Sequence, residues 1–303
     1  MKAFITGAGG FVGPHLSAHL RACGDEVVTS DRRGPQPLDV LDREATRERL
    51  ERERPDVVYH LAAFTQVGES WREPDRAVRV NVEGTLNVLD AARASDVRRV
   101  LVIGSAEEYG LVADPGRPLT EDTPLRPTTP YGASKVAASY LALQAWLGGG
   151  LEAIRVRPFN HTGPGQTPNF LVSALADRIV QAERAGRDEV AVGSLDPVRD
   201  HNDVRDVVRA YRMLATDGAP GEVYNVCSGR GTSVAEVAEL LLDRATRPLR
   251  LVQDPTLVRR VETPRLVGDP AKLRATTGWE PEYTLGQTLS DVLAAARAAT
   301  RPA

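Results

Sequence analysis

Two rhythms of hydrophobic and polar positions alternate through the first half of the chain. Short apolar runs at 3–6, 26–30, 56–60, 99–104 and 153–157, rich in β-branched and aromatic residues, predict buried strands. Between them the stretches 11–22, 77–94 and 134–147 place apolar residues three and four apart, the spacing of amphipathic helices. A further strand-like fragment leads into Leu38-Asp39-Val40. Strand and helix in regular alternation predict an α/β fold, a doubly wound parallel sheet with helices on both faces. After Pro158 the texture changes. Pro and Gly punctuate the chain often, and shorter helical patterns at 172–185, 203–214, 234–243 and 285–298 separate brief strands near 189–192 and 222–226. This half reads as a smaller C-terminal lobe interleaved with the last pieces of the sheet.

Bulk properties narrow the function without setting it. A chain of 303 residues can bury one large core. With 38 Lys and Arg against 41 Asp and Glu, the net charge is -3, which argues against a phosphate-backbone partner such as nucleic acid. Cys23 and Cys227 are too few for a disulfide framework or a zinc cluster, and a reduced, cytoplasmic setting is expected. A strand-like run begins at residue 2 with no leader before it, and no stretch approaches the ~20 apolar residues of a membrane span. His60, His161 and His201 lack metal-ligand spacing, so no metal is predicted. Trp71, Trp146 and Trp279 are scattered, which suits packing or an interface better than base stacking.

Chemistry first enters after the first strand. Thr6-Gly7-Ala8-Gly9-Gly10-Phe11-Val12-Gly13 spaces Gly7, Gly10 and Gly13 across a turn that opens a helix. Glycine permits the tight turn and lets the backbone approach a pyrophosphate, which then sits at the positive end of the helix. Asp31 follows 18 residues after Gly13, at the end of the second strand, where a carboxylate can bind an adenosine ribose. The pattern predicts a Rossmann-type dinucleotide site with NADPH or NADH as cofactor. Asp31 repels a 2′-phosphate and favours NADH, whereas the adjacent Arg32 favours NADPH, and the sequence carries both. Asp39 either reaches the adenine amine or serves as an ordinary turn residue.

Tyr131-Gly132-Ala133-Ser134-Lys135 sets a phenol and an ammonium four residues apart, on one face at the start of a helix. An ammonium near a phenol lowers its pKa, so Tyr131 is expected to exchange a proton near neutrality. Ser105 ends the strand at 99–104, on the carboxyl edge where ligands bind in open α/β sheets. Its hydroxyl can bond the same substrate oxygen.

These residues, with Leu61-Ala62-Ala63 and Asn81, resemble the extended short-chain dehydrogenase/reductases. The blocks 103–110, 157–166, 199–206 and 224–229 are similar to those of the GDP-6-deoxy-4-keto-D-mannose reductases. The resemblance implies a dinucleotide-binding domain mainly in residues 1–160 and a substrate-binding lobe mainly in 161–303. It implies reduction of the C4 ketone of a nucleotide-linked 4-keto-6-deoxy sugar, GDP-4-keto-6-deoxy-D-mannose to GDP-D-rhamnose. Tyr131 is then the acid, Lys135 tunes it and anchors the nicotinamide ribose, and Ser105 polarises the carbonyl. Phe11, Val12, Val40, Leu61, Ala62, Ala63, Pro158 and His161 would complete the cofactor site. Glu107, Asn160, Arg199, Arg259 and Glu262 would hold the nucleotide sugar.

Several positions depart from the pattern. Related 4,6-dehydratases carry a proton-exchanging residue where this chain has Ala106, so Glu107 is expected to bond sugar hydroxyls rather than to eliminate water. His201 replaces an aromatic residue, Arg260 a proline, and Asp177 a basic side chain. An acidic Asp177 facing a diphosphate would repel it, so it must point away or the nucleotide must sit differently. A nucleotide-sugar 4-epimerase with the same Ser, Tyr and Lys is the competing activity, and a non-catalytic NAD(P)-binding protein is the competing class. In the family the helices at 77–94 and 134–147 build a four-helix homodimer interface. The small-residue stripe Ala137, Ala138, Leu141 and Ala145 fits that role or burial within the monomer.

Overall fold

The computed structural model describes residues 1–34, 36–114, 116–258 and 263–299. In chain order the elements are β1 (Lys2–Thr6), α1 (Val12–Ala22), β2 (Glu26–Ser30), α2 (Arg43–Glu53), β3 (Val57–His60), α3 (Pro74–Val78), α4 (Gly84–Ala94), β4 (Arg99–Ile103), α5 (Pro130–Gly149) and β5 (Glu152–Pro158). They continue with β6 (His161–Thr162), α6 (Leu171–Ala185), β7 (Glu189–Val192), β8 (Val198–Asp200), β9 (Asn202–Asp203), α7 (Val204–Asp217), β10 (Val223–Val226), β11 (Gly231–Ser233), α8 (Val234–Leu242), β12 (Arg250–Gln253), β13 (Arg265–Leu266), α9 (Ala271–Thr277) and α10 (Leu285–Ala299).

Six strands form one parallel sheet in the order β10-β5-β4-β3-β1-β2. Because both faces of such a sheet are covered, its strands read as continuous apolar runs rather than alternating ones. Val57-Val58-Tyr59-His60 is buried at every position. One face packs Leu16 and Leu20 of α1 against Val204, Val207, Tyr211 and Leu214 of α7, with Leu273 and Trp279 closing the layer. The opposite face packs Leu50 of α2, Val88 and Ala92 of α4, and Ala142 and Ala145 of α5. Chain order reverses between β1 and β3, which opens a crevice at their carboxyl ends. The edge strand β10 and the covering helix α7 come from the second half of the chain, which also builds a separate core from α6, α8, α10, β7 and β12. No described helix is long and apolar enough to cross a membrane.

Two expectations about elements change. The single helix at 77–94 is interrupted by a π-helical turn at Arg79–Glu83 between α3 and α4. The turn is held by Asn81, 1 % exposed, which accepts from the Phe64 amide and donates to the Phe64 carbonyl and to Ser134 Oγ. The fragment ending at residues 38–40 is not a strand. Asp39 Oδ1 accepts from the Leu41 amide in a local turn, and Asn87 Nδ2 takes the Val40 carbonyl, so neither pairs with the sheet. Of the small-residue stripe of α5, Ala138 and Ala145 are buried and Ala137 and Leu141 half-buried, so it fits packing within the chain in part only. What these helices leave exposed is Val78 on α3, Leu86 on α4, and Tyr140 and Leu147 on α5.

Candidate active site

A cleft of about 1060 Å³ runs along the carboxyl edge of the sheet, from the glycine turn to the segment before α6. At the turn, Gly7 has φ +67° and a Cβ on it would lie 2.6 Å from the Ala62 backbone, so the loops after β1 and β3 touch there. A side chain at Gly13 would collide with the Ala8 carbonyl. Only glycine leaves the first turn of α1 open to a phosphate, and this bare backbone at a helix N-terminus fits a dinucleotide's pyrophosphate. Asp31 sits beside the turn. Its Oδ2 accepts from the Gly9 amide at 3.1 Å and its Oδ1 from the Arg33 amide at 3.2 Å. The carboxylate is therefore fixed at the cleft wall, with the exposed Arg32 next to it.

A buried relay stiffens this crevice. His60 Nδ1 shares a hydrogen bond with Thr6 Oγ1 at 2.8 Å, and its Nε2 with Thr85 Oγ1 at 3.0 Å. Thr6 Oγ1 also accepts from the Ala62 amide at 3.2 Å, which ties the end of β1 to the loop after β3. Burial drives the imidazole down to about 3, and the Lys135 charge adds to the effect, so His60 is a neutral pin.

At the other end, Thr129 caps α5 by accepting from the Gly132 amide, and Pro130 occupies the first helical position. The helix therefore starts before Ser134 and carries Tyr131 and Lys135 in its first two turns. Both line the cleft, 8 % and 6 % exposed. Ser105, at the end of β4, has extended backbone, and its side chain hydrogen-bonds Tyr131. Lys135 Nζ donates to the Ile103 carbonyl at 2.8 Å and lies 6.0 Å from the centre of the Tyr131 ring.

The expected lowering of the phenol is corrected here. Burial raises Tyr131 far above its ordinary value, the bond with Ser105 opposes that rise, and Glu107 and Glu108 add to it. The ammonium is spent on a backbone carbonyl rather than on the phenol. Burial in turn pulls Lys135 down to about 8. Tyr131 is thus held as a protonated phenol.

Gly7, Gly10, Phe11, Val12, Gly13, Asp31, Arg32, Asp39, Val40, Leu61, Ala62, Ala63, Pro158 and His161 all line the cleft, as do Ser105, Glu107 and Asn160. His161 stacks on Phe11 with ring centres 6.2 Å apart, while its Nδ1 bonds the Phe159 carbonyl. Arg199 departs from expectation. It lies on β8, 5 % exposed, donates from Nη1 to the Val198 carbonyl, and does not line the cleft. Arg259 and Glu262 lie outside the described residues. Asp177 points away: its carboxylate accepts from Gln181 one turn along α6 and is not at the cleft. The sequence reading missed Arg72 and Arg76, which line the cleft beyond the loop after β3, and Gln166, Thr167, Asn169 and Phe170 ahead of α6. Gln166 stood inside a recognised block, and Asn169 and Phe170 precede an obvious apolar helix, so position before a helix N-terminus was the available signal.

Comparison with known proteins agrees with this geometry. The sequence profile of the NAD dependent epimerase/dehydratase family matches residues 3–227. The chain is 40% identical over 294 residues to the GDP-6-deoxy-D-mannose reductase of Pseudomonas aeruginosa, covering 96% of both chains. It is 32% identical over 307 residues to a UDP-glucose 4-epimerase of Streptomyces lividans, covering 92% of this chain and 91% of the relative. Among solved structures it superimposes on RMD from Pseudomonas aeruginosa complexed with NADPH with a TM-score of 0.90, at 38% identity, covering 99% of this chain and all of the other.

Proposed function

The chain belongs to the NAD dependent epimerase/dehydratase family, and from that premise we propose that it is an NAD(P)H-dependent reductase of a nucleotide-linked 4-keto-6-deoxy sugar. The substrate is GDP-4-keto-6-deoxy-D-mannose and the product GDP-D-rhamnose. The observation that carries this reading is the meeting of Tyr131, Lys135 and Ser105 at the cleft opened by the Gly7 turn, in a chain 40% identical to a GDP-6-deoxy-D-mannose reductase over 96% of its length.

When bound, the reduced nicotinamide supplies the hydride. The Gly7 to Gly13 turn and the α1 N-terminus hold the pyrophosphate, Asp31 and Arg32 flank the adenosine ribose, and Lys135 anchors the nicotinamide ribose. Ser105 donates a hydrogen bond to the C4 carbonyl oxygen, and Tyr131 gives that oxygen its proton as charge develops there. Solvent then restores the phenol proton. Glu107 and Asn160 reach into the same cleft and bond the sugar and its phosphates. Ala106 offers no proton, which removes the companion that elimination of water requires. The Tyr140 and Leu86 face of α5 and α4 is where a second copy packs to form a homodimer.

The epimerase reading has its own support in the similarity to a UDP-glucose 4-epimerase. One assay separates the two. With GDP-4-keto-6-deoxymannose and NADPH or NADH, the reductase consumes one reduced nicotinamide per sugar, followed at its absorbance band. Interconversion of UDP-glucose and UDP-galactose with no net oxidation overturns the reductase reading.

A further inference from the structure

Beneath Ser105 lies a carboxylate that no substrate in the cleft can touch. Glu108 is 0 % exposed and does not line the cleft. A buried carboxylate is costly unless its lone pairs are taken, and both oxygens here are committed. Oε1 accepts from the Ser105 amide at 2.9 Å, and Oε2 from Arg157 Nε at 2.8 Å. Ser105 Oγ in turn accepts from the Glu107 amide at 3.2 Å, which closes a capping box on the 3-10 turn Ala106–Glu108. The space is reserved for this carboxylate, because a side chain at Gly104 would collide with Oε1.

Arg157 is itself anchored. Its Nη1 donates to Tyr109 Oη at 3.1 Å and to the Glu121 carbonyl at 3.2 Å, and Tyr109 donates to Asn225 Oδ1 on β10 at 2.7 Å. The chain of bonds runs from the sheet edge through Arg157 and Glu108 to the backbone of Ser105. A buried ion pair is a poor device for stability alone, since apolar residues of similar size serve as well.

We propose that Glu108, braced by Arg157, is a positioning residue for proton transfer: it fixes the Ser105 hydroxyl against Tyr131 and sets a buried negative charge beneath the Ile103–Ser105 backbone to which Lys135 is bonded. The proposal rests on the reading of Ser105, Tyr131 and Lys135 as the proton-transfer group. The titratable and charged groups around Lys135 are Tyr131 on its own helix, Glu108 on the 3-10 turn, His60 at the end of β3 and, behind Glu108, Arg157 on β5. His60 is neutral, so the Glu108 charge is what opposes the fall that burial imposes on Lys135.

Two variants test this, Glu108→Gln and the double variant E108M/R157M, which replaces the pair by apolar chains of similar length. Both are expected to lose kcat by ~10- to 100-fold, the scale of a misplaced reacting group, while the KM for the sugar stays within about twofold because Glu108 does not touch it. The sequence has three lysines, Lys2, Lys135 and Lys272, so ¹³Cε-lysine NMR resolves the Lys135 titration without any substrate. It should move below the wild-type midpoint in both variants. Wild-type kcat in either folded variant, or an unmoved Lys135 titration, overturns the proposal and leaves the pair purely structural. Failure of the wild-type protein to oxidise NADPH with a 4-keto sugar sinks the reductase reading instead, and the NMR result still decides where the Lys135 counter-charge lies.

Discussion

Tyr131, Lys135 and His60 are all pushed by burial toward their neutral forms: the phenol up, the ammonium and the imidazole down. For Tyr131 burial alone makes a weaker acid, so proton transfer leans on the neighbouring Ser105 hydroxyl and on the charge that develops on the carbonyl oxygen. Tyr131→Phe keeps the ring and its packing and removes the proton, so kcat should fall by about 10²- to 10⁴-fold. NADPH affinity, read by fluorescence titration, should stay near wild type. For His60 the effect is on stability. The unfolded chain takes up a proton near 6.5, while the folded imidazole, at about 3, does not. Stability is therefore full above pH 6.5 and is lost as pH falls from there toward 3. Over that window His60→Asn should lessen the dependence of unfolding free energy on pH by up to one proton, about 1.4 kcal/mol per pH unit. Urea unfolding at pH 7 and pH 5 measures it, and an unchanged slope would show that His60 titrates normally. Tyr131, Lys135 and Ser105 were readable because each stands in a short local pattern. Glu108 was not, because the partner that gives it meaning is 49 residues away on β5.

At the scale of elements, strand rhythm and the glycine turn located β1 to β5 and the cofactor end of the cleft well. The helix at 77–94 shows where such periodicity stops. Apolar spacing continues through it, yet a π turn is forced where Asn81 reaches back to Phe64 and across to Ser134. Those partners belong to other elements, so no local pattern reports them. Asn81 holds the loop after β3 against the helix that carries Lys135, one residue beyond Ser134. Asn81→Ala should cost about 1–3 kcal/mol in denaturant unfolding, since it strands buried polar groups on two elements. Loss of less than ~0.5 kcal/mol would mean that water or a shifted loop replaces those bonds. The segment at 38–40 makes the same point from the other side: its apolar look is real, but Asn87 and a local turn claim its backbone.

At the scale of the molecule, the cleft lies between a sheet built mainly by the first half of the chain and a lobe built by the second. The sheet side was readable because its turns contact one another in sequence-local motifs. The lobe side was less so: Arg199 is buried in a small second sheet, paired in register with Leu266 of the cleft wall and not itself lining the cleft. The same reasoning recasts the association surface. Ala138 and Ala145 of α5 are buried inside the monomer, and the large apolar side chains that α3, α4 and α5 leave exposed are Val78, Leu86, Tyr140 and Leu147. Exposed apolar side chains on adjoining helices favour the proposed association with a second copy. Analytical ultracentrifugation should find a dimer, and L86R/Y140E should shift it to monomer with secondary structure intact. A wild-type monomer at micromolar concentration would contradict this.

The central claim is that the cleft brings one hydride and the Tyr131 proton to a single sugar carbonyl. The direct measurement is isotopic: incubate the enzyme with GDP-4-keto-6-deoxymannose and reduced nicotinamide stereospecifically deuterated at C4 of its ring, and analyse the sugar by NMR and mass spectrometry. From one of the two C4 epimers of the cofactor, one deuterium is expected at C4 of the sugar, of a single configuration, for each nicotinamide oxidised. Unlabelled product from both C4 epimers of the deuterated cofactor would contradict it.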